Sequence, residues 1–449
     1  MPNNMTEGRP IRQIVLFAIP VLLGNLFQQL YNVVDSIIVG RYIGVDALAA
    51  VGSTGALIFL VFGWIIGMTN GFSIMIAQSY GAGDFKRLRQ FAALSFVLCA
   101  VMAVVMTIGL LWANGFILRL MQTPEEVFKD TYNYIGIMYA GLAITVFYNM
   151  YAGMLRAIGD SRTPLYFLAI ASVLHIILDI VFINVFSMGV EGAAYATIVS
   201  EFVSLILCVW YTTKKYEIFR MGKEDFAIDV SRIWKLLTMG VPMALQFSVT
   251  AIGTMIVQAA LNGMGPLIMA SYSVAGKIQS LVSQPYVALG ATMATYVGQN
   301  RGAGKIARVR DGVKQGTILA VSFSILSAAI IFFFGDVLIK GFISEDVQNV
   351  TKTAMIYFRT VLWFYPFLSM IFIYRNSLQG LGDGLMPMIG GLLELAARVV
   401  VIYFVADRLG YQGICMADPF AWILVSVALI PVYYKRIATI QDYVLHSHR

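Results

Sequence analysis

The sequence predicts an all-α membrane protein, with twelve transmembrane helices in two six-helix lobes related by a pseudo-two-fold axis along the membrane normal. Three observations predict it. Of 449 residues, 59% are hydrophobic and 12% charged, with a mean hydropathy of +0.78, whereas soluble domains carry about 25% charge. Apolar runs of about 20 residues, the length that crosses a hydrocarbon core, recur twelve times between polar punctuation. The pattern also repeats itself after roughly 220 residues, the mark of a duplicated unit.

In order, the expected spans cover residues 13–40, 47–78, 88–113, 126–154, 164–187 and 190–213, then 233–261, 267–298, 312–334, 348–376, 386–406 and 411–434. The first, IVLFAIPVLLGNLFQQLYNVVDSIIVG, carries Pro20, which deletes a helix hydrogen bond and bends the chain, and a single acid, Asp35. Gln28, Asn32 and Asp35 are spaced by four and three and so share one helical face. An acid at membrane depth costs roughly 2.5–3.5 kcal/mol on insertion scales, so this face turns to protein or water. The polar segment KKYEIFRMGKEDFAIDVSR separates six spans from six. It sets an N-terminal lobe at 1–213, a cytoplasmic linker at 214–231 and a C-terminal lobe at 232–449.

The halves match in three places in the same order. FAIPVLLG pairs with TMGVPMAL, QSYGAGDFKRLR with GQNRGAGKIARVR, and Gly159-Asp160 with Gly382-Asp383. Pro20 thus has a repeat mate in Pro242, and the two are candidate hinges, with Pro285 and Pro366 as further prolines inside spans. Because six is even, both halves share one orientation, and a substrate cleft is expected between them. Placing both termini in the cytoplasm puts roughly 22 of the 31 Lys and Arg residues in cytoplasmic loops, as the positive-inside rule requires. The N-terminal run is too long for a signal-peptide core and lacks an obvious cleavage site, so it is expected to be retained, and the chain is read as a multi-pass protein of the plasma membrane. The net charge of +7 needs no nucleic acid to explain it. Cys99, Cys208 and Cys415 lie in apolar stretches without disulfide or metal spacing.

Five polar residues of the first half are candidates for ion coupling. At about 1.5 Å rise per residue, Asp35, Asp179 and Thr197 fall in one layer. His175 precedes Asp179 by one turn, and Asn149 sits midway along the fourth span. Two carboxylates in a low-dielectric layer resist being ionised together, which makes proton exchange one reading; the same oxygens with Thr197 and Asn149 also suit Na⁺. Gln28, Asn32, Gln246, Met255 and Gln258 are candidate substrate contacts. In the second half, Glu394, Arg398 and Asp418 form a charge cluster, read as internally neutralised. Glu201 and Lys277 are intramembrane charges with no partner evident in the sequence. Asp35 and Asp179 also allow a catalytic dyad, but no metal spacing, nucleophile motif or phosphate loop completes an enzyme.

The chain resembles multidrug and toxic compound extrusion (MATE) transporters over nearly its whole length. The resemblance rests on the duplicated halves, the helix of Pro20 and Asp35, QSYGAGDFKR, LRAIGDSRTP and the ADPFAW of the last span. It implies a V-shaped pair of lobes and cation-coupled efflux of organic, often cationic and amphipathic, compounds. It also points to the branch whose coupling acids lie in the N-terminal lobe, onto which Asp35, Asp179 and Thr197 map. The chain departs from that branch in carrying His175 where Asn is common. The seventh-span acid of another branch is absent.

The expectation is therefore an antiporter, not an enzyme, that exports an organic cation in exchange for H⁺ or Na⁺. It needs no cofactor or metal, and its partners are the lipid bilayer and a small-molecule substrate. A monomer suffices, because an internally duplicated transporter forms its own cleft. The alternative is a flippase of a lipid-linked precursor, which calls for a more basic cleft than this acidic and neutral polar layer.

Overall fold

The computed structural model describes residues 4–44, 47, 50–52, 54–343 and 346–447, with side chains to 442. The start of the second expected span, at 47, falls partly outside them. Among the described residues every regular element is helical. We label the helices α1 (Pro10–Tyr42), α2 (Gly55–Gly81), α3 (Phe85–Leu120), α4 (Glu125–Ala140), α5 (Leu142–Ala157), α6 (Arg162–Ile180) and α7 (Gly189–Lys215). There follow α8 (Val230–Asn262), α9 (Pro266–Gly302), α10 (Ile306–Lys340), α11 (Val347–Val361), α12 (Tyr365–Gly380), α13 (Leu385–Val401), α14 (Tyr411–Cys415) and α15 (Ala417–Ser447).

Ten helical stretches are long and apolar enough to cross a membrane, and the pair α4–α5 makes an eleventh if read as one bent span. The remaining expected span is α9, 37 residues long, whose Lys277, Gln and Ser residues lower its apolarity. Two expected spans are not straight. The fourth bends by 47° between α4 and α5, at Gly141, where a Cβ would stand 2.5 Å from Ile198 of α7. Only glycine admits α7 so close to the bend. The tenth is broken into α11 and α12 by a 3₁₀ turn, Leu362–Phe364. Pro366 therefore lies in the first turn of α12, where its missing N–H leaves no helix bond unmade.

The chain forms two compact units, one built on Leu23–Ala244, the other on Met5–Leu22 with Leu245–Arg449. α1 and α8 are each continuous through an internal proline, Pro20 and Pro242. Each passes from one unit to the other two residues after that proline.

In the first unit, α2 and α8 touch backbone to backbone. A Cβ on Gly67 would lie 2.4 Å from the Ala244 Cα, and one on Gly71 2.5 Å from the Gly240 Cα. In the second unit the N-terminal strand of chain is fastened to the GQNRGAGKIARVR turn. Met5 N–H donates to Gln299 Oε1 at 3.0 Å, Arg308 Nη1 to the Gly8 carbonyl at 2.8 Å, and Lys305 Nζ to the Thr6 carbonyl at 3.0 Å.

The Gly-Asp pairs of the repeat are structural caps. Gly159 and Gly382 have φ of 90° and 75°, in the left-handed region that favours glycine. Asp160 then accepts from Thr163 N–H at 3.0 Å, and Asp383 from Met386 N–H at 3.1 Å, satisfying the free N-termini of α6 and α13. Both of those helices run on into a single π turn, Val181–Val185 and Ile402–Ala406. Such turns displace the side chains around them and recur at functional sites.

Candidate functional site

The first unit gathers Asp35 of α1, His175 and Asp179 of α6 and Thr197 of α7. One ligand atom from each of Asp35, His175 and Asp179 lies within 4.8 Å of the others. His175 and Asp179 are fully buried, while Asp35 is half-buried at the accessible edge. His175 and Asp179 face each other because they are one turn apart on α6: Nδ1 and Oδ2 are 3.0 Å apart. The other ring nitrogen, Nε2, is 3.0 Å from Thr197 Oγ1 and 3.2 Å from the Tyr31 hydroxyl. Tyr31 also stacks edge-on against the imidazole, with centroids 4.4 Å apart.

The hydrogen-bond roles follow from the donors available. Thr197 gives its own proton to the Ala193 carbonyl at 3.0 Å, so toward the ring its oxygen is an acceptor. An imidazolium satisfies both sides, donating from Nδ1 to Asp179 and from Nε2 to Thr197. A neutral ring keeping its Nδ1 proton accepts at Nε2 from Tyr31 instead. Both arrangements of the ring thus find partners among the same neighbours. Asp35 Oδ1 and both Asp179 oxygens accept no aligned hydrogen bond from a described residue. Asp179 Oδ2 has only the His175 Nδ1 facing it, and Asp35 Oδ1 and Asp179 Oδ1 have no donor among the described residues, a deficit that a proton or a small cation supplies.

Asn149 stands apart from this group. Its amide donates to the Thr145 carbonyl at 2.9 Å, and the Thr145 hydroxyl donates to Glu201 Oε2 at 2.7 Å. Glu201 thus has a partner that the sequence did not reveal, whereas Lys277 is exposed on α9. Gln28 and Asn32 are exposed on α1 in the first unit. Met255 and Gln258 are exposed on α8 in the second. Gln246 is buried, its Oε1 accepting from Gln379 Nε2 at 3.1 Å.

The charge cluster of the second unit pairs across helices. Arg398 Nε of α13 donates to Asp418 Oδ1 of α15 at 2.9 Å. Glu394 takes Arg375 of α12 at 3.2 Å. These groups line a cavity of about 340 Å³ with Gln258, Tyr272 and Trp422. Sequence reasoning missed Tyr31 and Arg375. Tyr31 lies one turn before Asp35 on the face already singled out by Gln28 and Asn32, and Arg375 is a lone cation in an apolar run.

Helices long and apolar enough to cross a membrane, in a duplicated plan with an acid cluster among them, are the features of a polytopic membrane protein. The family model MatE matches residues 20–181 and 242–404, one segment in each half, and the chain belongs to that family of multidrug and toxic compound extrusion transporters. The chain is 29% identical over 438 residues to the probable multidrug resistance protein YpnP of Bacillus subtilis (strain 168), covering 96% of each. It is 30% identical over 435 residues to the probable multidrug resistance protein YoeA of the same organism, covering 94% of this chain and 93% of that one. A solved outward-facing multidrug resistance MATE family transporter of the MOP superfamily superposes with a TM-score of 0.91 at 24% identity, over 97% of this chain and 98% of that one. The fold is thus the twelve-helix, two-lobe fold of these transporters. The chain is a membrane transport protein and not an enzyme.

Proposed function

We propose that this protein is an antiporter of the plasma membrane, both termini cytoplasmic, that exports organic, cationic and amphipathic compounds in exchange for H⁺. The lobes are taken as 1–213 and 232–449, with Pro20 and Pro242 as hinges. The observation that carries the reading is the gathering of the Asp35 and Asp179 carboxylates around the His175 ring, with Asp35 Oδ1 and Asp179 Oδ1 lacking a donor among the described residues.

H⁺ is preferred to Na⁺ because His175 fills a ligand position with nitrogen, whereas Na⁺ favours oxygen donors. Protonation removes the repulsion between Asp35 and Asp179. Asp35, at the accessible edge, is the member a cationic substrate reaches. Proton and substrate then compete for one negative charge, and each weakens the binding of the other by the same factor, as linkage requires. The unit boundary two residues past each proline supports bending there as the cluster changes charge.

The test is ethidium efflux from cells expressing the protein, with the proton and sodium gradients collapsed separately. Loss of efflux on collapse of the proton gradient alone is expected. Efflux that survives loss of both gradients overturns the antiporter reading, and dependence on sodium alone overturns the choice of ion.

A further inference from the structure

We infer that Glu201 is a second proton-binding site, which receives the proton from the Asp35–His175–Asp179 cluster and passes it along α7 toward the cytoplasm. The inference rests on the proton-coupled reading above.

Glu201 lies one turn past Thr197 on α7, about 6 Å further toward the Lys215 end, on the same face. Thr197 is itself in contact with the His175 ring. The face continues with Ser204, Cys208 and Thr212, spaced by three, four and four, and all three are at most 1% exposed. Thr212 Oγ1 has no hydrogen-bond partner among the described residues and Ser204 Oγ faces the Tyr148 hydroxyl of α5, while the Thr145 hydroxyl and the Asn149 amide nearby are bonded. Tyr216, one turn beyond Thr212, donates to Asp160 Oδ2 at 2.7 Å in the loop before α6. A stripe of hydroxyls, one thiol and one carboxylate thus runs from the cluster to that loop.

Glu201 is the only carboxylate on the stripe. Among the described residues no ion pair holds it; the one bond to it is Thr145's. An unpaired intramembrane acid is expensive and marks a relay. Of the titratable groups, Tyr148 of α5 interacts electrostatically with Glu201, and Tyr148 in turn with Arg156 of the same helix and Cys208 of α7. Tyr134 of α4 stands with Asp35 and Asp179 at the cluster. The transfer balances simply. The cluster gives up one proton, Glu201 becomes the neutral acid with Thr145 still bonded, and it then loses the same proton to the cytoplasm.

The test uses the full-length protein in proteoliposomes with ethidium as the probe. Two rates are compared in wild type, Glu201→Gln and Glu201→Asp: net transport driven by a pH gradient, and ethidium-for-ethidium exchange without a gradient, which needs no proton to leave. Glu201→Gln is expected to slow net transport by about tenfold or more while exchange stays within about twofold, and Glu201→Asp to restore most of the net rate. Unchanged net transport in Glu201→Gln overturns the inference, as does an equal loss of both rates, which marks a structural role. Wild-type net transport that ignores the pH gradient overturns the proton reading itself and this inference with it. Where Glu201→Gln does not fold, Thr145→Val decides: loss of its bond to Oε2 shifts the pH midpoint of net transport, and an unmoved midpoint overturns the assignment.

Discussion

The two units hold their intramembrane charges in opposite ways. In the first, two carboxylates, Asp35 and Asp179, crowd around one imidazole, and Asp35 Oδ1 and Asp179 Oδ1 have no donor among the described residues. In the second, Arg375 closes on Glu394 and Arg398 on Asp418. The scaffold around them is common to both: a helix with an internal proline that crosses the unit boundary, a Gly-Asp cap, and a π turn at the end of the capped helix. A duplicated plan has therefore kept its geometry and divided its chemistry. One copy neutralises its own charge and the other leaves negative charge open to a proton.

The largest effect that sharpens this contrast is on stability. Arg398→Met leaves the half-buried Asp418 unpaired and is expected to cost up to about 3 kcal/mol in thermal unfolding of the purified protein, whereas the double replacement Arg398→Met with Asp418→Leu recovers most of it. Asp35→Asn should do the reverse. Folding is retained, and gradient-driven ethidium transport falls on the order of a hundredfold; full transport by this variant removes Asp35 from the mechanism. His175→Asn removes the imidazole that bridges Asp179 and Thr197 and is expected to slow gradient-driven transport by about tenfold or more, with Asp179→Asn as the companion variant that silences transport. The smallest effect is Tyr31→Phe. Loss of one hydroxyl contact to His175 and Thr197 is worth about 0.5–1.5 kcal/mol, read as a several-fold slower rate with the pH profile displaced and substrate affinity kept.

Most of this contrast was legible in the sequence, because carboxylates are so costly in a bilayer that their positions stand out. Asp35, Asp179 and Glu201 were found by that rule, His175 by its helical spacing from Asp179, and the matched prolines inside α1 and α8 by the recurrence of Pro20 as Pro242. What the sequence hid depends on how helices rotate against one another. Glu394 and Arg398 are one turn apart, yet each pairs with a different helix, and Asn149 turns back to Thr145 rather than toward the acids. Tyr31 was hidden because a tyrosine in a spanning segment is ordinary and carries no charge. The bend at Gly141 was hidden because one glycine in a membrane helix is equally ordinary; only the approach of Ile198 shows why it is needed.

The central claim is that protons and substrate exchange through the Asp35–His175–Asp179 cluster. Its most direct test is proton movement itself, followed with a pH-sensitive dye trapped in proteoliposomes while ethidium is driven across by its own gradient. Ethidium leaving on one side should draw protons in the opposite direction in fixed proportion, and Asp35→Asn should abolish that proton flux. Ethidium transport with no accompanying proton movement, or with the same movement in Asp35→Asn, would contradict the account.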